Sequence, residues 1–183
     1  MTRAFTTLAF TPSVRAAQAR RGVREFNERA AAREPDRASL SDEMQQRIAR
    51  ANSVIVGTAS SDGWPHVQHR GGPPGFIKVL GPSELAFADY SGNRQYITVG
   101  NLAENNRMFL LLLDYAERTR LKIWGRAEAI EDDPELLERV RDPDYKARVE
   151  RVIRLRVEAW DTNCNSHIPH LVSAPRAEAA HDG

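Results

Sequence analysis

Several features common in proteins of this size are scarce in this chain, and each scarcity removes a class of function. The 183 residues contain one cysteine, Cys164, which excludes an intrachain disulfide framework, a dithiol redox pair and a cysteine-rich metal site. The longest apolar run, Met108 to Leu113, is far shorter than the roughly 18 residues of a membrane-spanning helix. The net charge of +1 lacks the basic excess typical of nucleic-acid binders. We therefore expect a globular protein with neither a membrane nor a nucleic-acid partner.

The N-terminus also lacks the pattern of a secretory signal. No basic segment followed by a continuous apolar core occurs there, so we expect a cytoplasmic location. The length is typical of one domain. Lysine is scarce as well, with three among 26 basic residues: Lys78, Lys122 and Lys146.

The first 50 residues carry helix signals, and we assign residues 1–50 to an N-terminal helical extension. One helix is expected from Thr11 to Ala32, weakened near Gly22, with Pro12 suited to its first turn. A second helix is expected after Ser41, whose hydroxyl is a good N-cap. A later helix is expected to begin near Asp132 or Asp133.

From residue 51 onward the pattern becomes that of short strands. Ser61, Asp62 and Gly63 form a turn signature between the first two strands, which predicts a hairpin. Seven segments look like strands: SVIVGTAS, WPHVQHR, FIKVL, ELAFAD, RMFLLLLD, TRLKIWGRAEAI and RVIRLRVEAW. Short strands joined by turns favour a closed or partly closed antiparallel barrel, because closure removes exposed edges. We place this domain at residues 51–170 and a disordered tail at 171–183.

The segment HRGGPPGFIKVL, residues 69–80, interrupts a strand with glycine and proline. The two-residue period before it places His66, Gln68 and Arg70 on one face. Glycines in such a break allow a ligand to lie against the main chain. The alternative interpretation is that these glycines and prolines form a turn at a barrel corner.

A second polar group surrounds Gly92. Ser91, Asn93, Arg94 and Gln95 offer a hydroxyl, amides and a guanidinium where a helical turn could begin. These donors suit a phosphate. A solvated connection is the alternative.

Two further groups lie later in the chain. Arg120, Lys122 and Trp124 share one strand face, which suits either a planar anionic ligand or a wet outer face. Cys164 and His167 could form a nucleophilic pair, but no residue can be identified that orients the base. We therefore assign no catalytic side chain.

In their order and spacing, these segments resemble the pyridoxamine 5′-phosphate oxidase-like, FMN-binding split-barrel superfamily. They are most similar to its uncharacterised FMN-dependent flavoproteins, through HRGGPPGFIKVL, SGNRQYITVGNLAENN and KIWGRAEAI. The resemblance covers roughly Ser53 to Pro169. It implies a mainly β fold, a six-stranded antiparallel split barrel with an N-terminal helical extension. It also implies a homodimer that holds FMN at its interface.

The resemblance further implies which residues bind the cofactor. Five consecutive residues would run beside the isoalloxazine ring and the ribityl chain: Pro74, Gly75, Phe76, Ile77 and Lys78. Lys78 matches the family's phosphate lysine. Because the flavin phosphate carries nearly two negative charges, Lys78 and Arg94 would offset it together.

The remaining implied contacts come from later strands and turns. Ala88 and Asp89 would end a strand near the cofactor, and Arg70 would face the substrate cavity. The phosphate turn would be Asn93, Arg94 and Gln95, with Gln95 in place of a usual lysine. Arg120 would contact the pyrimidine edge of the flavin, and Trp160 would pack against it from the partner subunit.

One departure from the family bears on the substrate. Pyridoxamine phosphate oxidases hold their substrate with an Arg-x-His-x-Arg pattern, and this chain has NCNSHIPHL instead. Vitamin oxidation is therefore not expected. The resemblance implies an FMN-dependent oxidoreductase acting with an unidentified small-molecule substrate or electron donor. The alternatives are a flavin-binding or flavin-sensing module without turnover, or a barrel that holds haem, through His167 and His170, or a deazaflavin.

Overall fold

The described part of the chain is mainly β, with six flanking helices. A computed structural model describes residues 4–33, 37–162 and 166–172. The helices are α1 (Ala4–Ala9), α2 (Pro12–Arg20), α3 (Arg24–Arg33), α4 (Asp42–Arg50), α5 (Ile97–Glu104) and α6 (Pro134–Val140). The strands are β1 (Ser53–Ala59), β2 (Pro65–Gly71), β3 (Ile77–Gly81), β4 (Glu84–Tyr90), β5 (Arg107–Asp114), β6 (Thr119–Ile130) and β7 (Val149–Thr162). The prediction of a mainly β fold is confirmed.

All seven strands belong to one antiparallel sheet in the order β2-β1-β5-β6-β7-β4-β3. The predicted hairpin of β1 and β2 is confirmed, and Ser60 N–H closes its turn by donating to the Trp64 carbonyl at 3.1 Å. The long strands β6 and β7 pair along most of their length. They form the centre from which the two halves of the sheet extend.

The strand count and the closure differ from the six-stranded barrel that the resemblance implied. The sheet has seven strands, and β2 and β3 are its two edges. Because Pro73 and Pro74 have no N–H to donate, the chain after Gly71 cannot continue a hydrogen-bonded ladder. Strand β3 begins anew at Ile77 and pairs with β4 alone. The sheet is therefore split between β2 and β3.

The core lies on one face of this sheet. Its fully buried side chains include Val54 of β1, Leu110 of β5, Ile123 of β6 and Leu155 of β7. Helix α4 covers this core with Met44 and Ile48, the two residues of α4 that are buried. The predicted cap is confirmed, because Met44 N–H donates to Ser41 Oγ at 3.4 Å.

A smaller apolar cluster forms on the other face of β4. Ala86 and Ala88 of β4 lie there with Leu136 and Val140 of α6. Helix α6 begins as predicted, because Leu136 N–H donates to Asp133 Oδ1 at 2.9 Å. Successive residues of β4 thus face different environments: Leu85 and Phe87 belong to the main core, and Ala86 and Ala88 belong to the smaller cluster.

The single helix predicted from Thr11 to Ala32 is wrong, since the structure has two helices there. The chain turns at Gly22, whose φ of 68° lies in the left-handed region that favours glycine. No residue of α2 or α3 is buried. Arg15 and Arg24 both contact Glu28 at 3.0 Å, and the Arg24 hydrogen bond holds the pKa of Glu28 below its ordinary value. The two helices are linked to each other by polar contacts.

None of the described helices combines the length and the apolar composition needed to cross a bilayer.

The tail predicted for 171–183 falls outside the described residues from position 173 onward, as do Cys164 and Asn165. The division into an extension, a domain and a tail stays a prediction.

The register between β6 and β7 shifts at Gly125, where Glu158 is an extra residue of β7, and the close approach there depends on glycine, which gives a test of the sheet packing. A Cβ atom at Gly125 would lie 2.2 Å from the Arg156 carbonyl oxygen and 2.8 Å from Leu155 Cδ1. We expect Gly125→Ala to lower the free energy of unfolding by about 3 kcal/mol, because the paired strands must move apart. Urea denaturation measures this change. The matched control is Gly81→Ala, where a Cβ meets nothing within 4 Å and the change should stay within about 0.5 kcal/mol. Equal stability of the two variants would contradict the described register.

Candidate functional site

A buried ion cluster joins strands on the two sides of the split. Asp89 of β4 contacts Arg70 of β2, with Oδ1 and Nη1 2.5 Å apart, and Arg151 of β7, with Oδ2 and Nη1 3.1 Å apart. The Asp89 side chain is only 5% exposed. In the sheet order four strands separate β2 from β4. The Arg70–Asp89 pair therefore links across the gap two strands that share no backbone hydrogen bonds.

Arg151 is the most highly connected member of this cluster. Its Nε lies 3.0 Å from Glu131 Oε1, and its guanidinium lies 5.0 Å from the centroid of the Tyr96 ring. Burial alone would lower the pKa of Arg151, but the hydrogen bond to Glu131 and the charge of Asp89 outweigh it and raise that pKa. Arg151 therefore stays charged and fixes the position of Asp89.

Tyr90 follows Asp89 at the edge of the same pocket. Burial is the main reason that the pKa of Tyr90 is raised, and the nearby Tyr145 and Asp142 raise it further. The ring of Tyr90 packs edge-on against that of Tyr145, with centroids 5.0 Å apart. The phenol therefore stays protonated near neutral pH.

The predicted phosphate turn lies at the mouth of this pocket. Asn93 Oδ1 accepts the Gln95 N–H at 3.1 Å, which fixes the turn. Arg94 and Tyr96 have φ values of 59° and 53°, a strained region for residues other than glycine. Helix α5 begins directly after Tyr96, which provides no side-chain cap to its first N–H groups. Within the described chain, Arg94 forms no ion pair.

The pocket between these elements encloses about 50 Å³. His66, Gln68 and Arg70 form one wall, as the alternation of β2 predicted, while Val67 points outward and is 65% exposed. His66 Nε2 is buried and has no hydrogen-bond partner among the described residues. Ligand pockets for whole small molecules usually measure about 300–1,000 Å³, so this one suits a phosphate-sized group.

The structure brings together five of the predicted cofactor residues at this pocket: Arg70, Asp89, Asn93, Arg94 and Gln95. Lys78 lies on β3 opposite Ala86, half-buried and outside the pocket lining. Ala88 belongs to the apolar cluster with α6. Phe76 and Ile77 are core residues. Contact between these residues and a cofactor stays a prediction.

The glycine-rich break packs closely against the end of α4. Gly75 has a φ of 81°, and its N–H donates to the Ala51 carbonyl at 3.0 Å. A Cβ on Gly72 would come within 2.8 Å of the Phe76 Cβ. Close packing at a corner of the sheet therefore explains Gly72 and Gly75. A ligand alongside Pro74 and Gly75 stays a prediction.

Arg120 and Trp160, the last two predicted cofactor residues, lie away from this pocket. Arg120 Nη2 donates to the Ser166 carbonyl at 3.2 Å. Trp160 is 7% exposed, and its Nε1 donates to the Ser39 carbonyl at 2.7 Å. On the strand face of Arg120, the ring of Phe5 in α1 packs 5.6 Å from that of Trp124. The roles of Arg120 and Trp160 toward a flavin stay predictions.

Sequence reasoning missed Arg151 and Tyr96 as parts of the site. Arg151 opens the last predicted strand, and its register places it opposite Asp89, 62 residues earlier. An arginine at the start of one strand and an aspartate at the end of another were available signals. They indicate a pair only when the adjacency of β4 and β7 is known.

The ion cluster gives a stability prediction. Asp89→Asn removes the negative charge between two arginines that are 21% and 10% exposed. We expect a loss of about 3 kcal/mol or more in the free energy of unfolding, because Arg70 loses its carboxylate partner and stays near Arg151, which keeps Glu131 and Glu150. Chemical denaturation measures it. The control Glu128→Gln removes an exposed partner of Arg154 and should cost less than about 1 kcal/mol. A similar small loss for Asp89→Asn would show that the cluster does not hold the gap.

Comparison with known proteins gives the chain its family. The family model described as pyridoxamine 5′-phosphate oxidase matches residues 40–164, which is more than half of the sequence. No protein with a curated description matches the chain.

Solved structures share the fold at low sequence identity. A protein from Lactobacillus delbrueckii described as a putative pyridoxamine 5′-phosphate oxidase has a TM-score of 0.53 and 23% identity, over 68% of this chain and 94% of its own. The HupZ protein of Group A Streptococcus has a TM-score of 0.54 and 14% identity, over 67% of this chain and 93% of its own. A conserved hypothetical protein from Mycobacterium tuberculosis has a TM-score of 0.51 and 15% identity, over 80% and 99%. With its split antiparallel sheet and the match along residues 40–164, this chain belongs to the pyridoxamine 5′-phosphate oxidase family.

Proposed function

We propose that this protein binds FMN and acts as a flavin-dependent oxidoreductase on a small molecule. The observation that carries the proposal is the state of Arg94, an exposed cation that lies beside the start of α5 and has no ion-pair partner among the described residues. A flavin phosphate brings nearly two negative charges. A guanidinium together with unpaired N–H groups at a helix start is a favourable environment for it.

The charge of the pocket supports an anion at this position. Three arginines line it, Arg70, Arg94 and Arg151, against the two carboxylates Asp89 and Glu150. Because Asp89 pairs with Arg70 and Arg151, and Glu150 also pairs with Arg151, the excess positive charge is that of Arg94 at the mouth. The volume of about 50 Å³ is suited to a phosphate group. Family membership agrees with a flavin as the source of that phosphate.

Within this proposal the protein binds and orients the cofactor. A bound flavin would supply the hydride or electron transfer. Arg94, Asn93 and Gln95 would hold its phosphate, and the cluster of Arg70, Asp89 and Arg151 would keep the turn in place. The buried His66 Nε2 offers one further hydrogen-bonding atom at the inner wall. No side chain is assigned a proton-transfer step.

We further propose a homodimer with the flavin at its interface. A pocket of about 50 Å³ accommodates a phosphate, but not a three-ring isoalloxazine. The rest of the cofactor therefore needs a second wall, which another copy of this chain would supply. The predicted contacts of Lys78, Ala88, Arg120 and Trp160 with the flavin belong to this assembly. A cytoplasmic location also stays part of the proposal.

The assembly gives one expected measurement. Sedimentation of the FMN-loaded protein should give twice the mass of one chain, and flavin absorbance should give one FMN per chain. A monomer that retains stoichiometric FMN would contradict the interface site.

Turnover has a direct test. The purified protein should be yellow, lose its flavin absorbance when NADH or NADPH is added without oxygen, and recover it when an electron acceptor is admitted. A yellow protein that stays oxidised with both donors would instead be a flavin-binding module. A Soret band in place of flavin bands would indicate haem and contradict the proposal.

The phosphate assignment is tested by Arg94→Ala. We expect FMN affinity to fall by about 10- to 100-fold, since a charge-assisted hydrogen bond contributes roughly 1.5–3 kcal/mol. Quenching of flavin fluorescence on binding measures the dissociation constant. Arg139→Ala, at an exposed position on α6 outside the pocket lining, is the matched control and should leave the affinity unchanged. Equal affinities of the two variants would refute the assignment.

A further inference from the structure

A second and larger cavity lies between the end of α4, the turn that joins β5 to β6, and the segment 171–172. Its volume is about 390 Å³, within the range of about 300–1,000 Å³ typical of small-molecule sites. It shares no lining residue with the pocket at Asp89. The cavity is therefore a separate site, and the proposed flavin phosphate does not account for it.

The cavity has apolar walls on two sides. Leu112 and Leu121, which belong to the core, line it from the sheet and are 7% and 2% exposed. Leu171 and Val172 line it from the C-terminal segment and are 55% and 71% exposed. An aliphatic chain between these walls would remove apolar surface of both from water, which is favourable.

The remaining part of the lining is largely polar and carries three charged side chains, Arg47, Arg50 and Asp114. Arg50, at the end of α4, is exposed and forms no ion pair with any described residue. Arg47 is paired with Glu43 of its own helix at 2.7 Å, with side chains 31% and 67% exposed. Asp114 also lines the cavity, but its Oδ1 accepts the Glu117 N–H at 2.9 Å within the turn. Arg50 is therefore the cation available to a ligand.

The C-terminal wall is held by defined contacts. Arg118 Nε donates to the Ile168 carbonyl at 3.0 Å, and Leu171 N–H donates to the Tyr115 carbonyl at 3.3 Å. Ile168 itself is only 5% exposed. These contacts fix Leu171 and Val172 against the cavity, although their side chains remain open to solvent.

We propose that this cavity binds an amphipathic anion, a medium-length aliphatic chain that ends in a carboxylate. The carboxylate pairs with Arg50, and the chain lies between Leu112 and Leu121 on one side and Leu171 on the other. The site is independent of the flavin site.

The test uses octanoate as the probe, titrated into the full-length protein by isothermal calorimetry. We expect saturable binding, and 1-octanol, which has the same chain without the charge, should bind at least about 10-fold more weakly. Arg50→Gln should weaken octanoate binding by about 10-fold or more, as loss of a charge-assisted pair does. Leu171→Asp should weaken it as well, and this change is at an exposed position where folding is not at risk. Arg139→Gln, remote from the cavity, should bind octanoate within about twofold of the unmodified protein.

Three results would overturn the proposal. The first is the absence of saturable octanoate binding, and the second is equal affinity of Arg50→Gln and Arg139→Gln. The third is displacement of octanoate by FMN, which would assign the cavity to the flavin site. We expect instead that octanoate affinity stays within about twofold when the protein is saturated with FMN.

Discussion

One buried carboxylate, that of Asp89, links parts of the sheet that no backbone hydrogen bond joins. Its two oxygens contact Arg70 of β2 and Arg151 of β7, and Arg151 is held in turn by Glu131. Burying such charges is costly unless each has a close partner, so the geometry of the cluster is under strong constraint. The sheet is split between β2 and β3, and the Arg70–Asp89 pair of this cluster sets the distance between β2 and β4.

The same constraint positions the candidate site. The chain leaves β4 one residue after Asp89 and reaches the turn at Asn93 within a few residues, so the turn is held close to the cluster. Arg94 and Tyr96 adopt left-handed backbone conformations there, which persist only where the surroundings determine them. Because Arg70 pairs with Asp89, and Arg151 pairs with Asp89, Glu131 and Glu150, Arg94 is the arginine of this pocket with charge available to a ligand. The phosphate site that we propose thus depends on how the sheet is held together at its gap.

Local features of the fold could be predicted from the sequence, and long-range ones could not. Ser41 was identified as a cap, and the start of the later helix was placed at Asp132 or Asp133, because capping depends on a residue and its next few neighbours. The common face of His66, Gln68 and Arg70 followed from a two-residue period. Gly22 was underestimated: a single residue with a φ of 68° ends one helix and turns the chain into the next, although no residue of either helix is buried. The role of Arg151 depends on the pairing of β4 with β7, and the burial of Trp160 depends on a contact with Ser39, 121 residues away.

The central claim is that the contact between Arg70 and Asp89 holds the gap, and a double-mutant cycle tests it most directly. The free energy of unfolding would be measured for the unmodified protein, Arg70→Gln, Asp89→Asn and the double variant. We predict a coupling energy of about 2 kcal/mol between the two positions, as expected for a close and largely buried ion pair. Additive effects, with a coupling below about 0.5 kcal/mol, would contradict the claim.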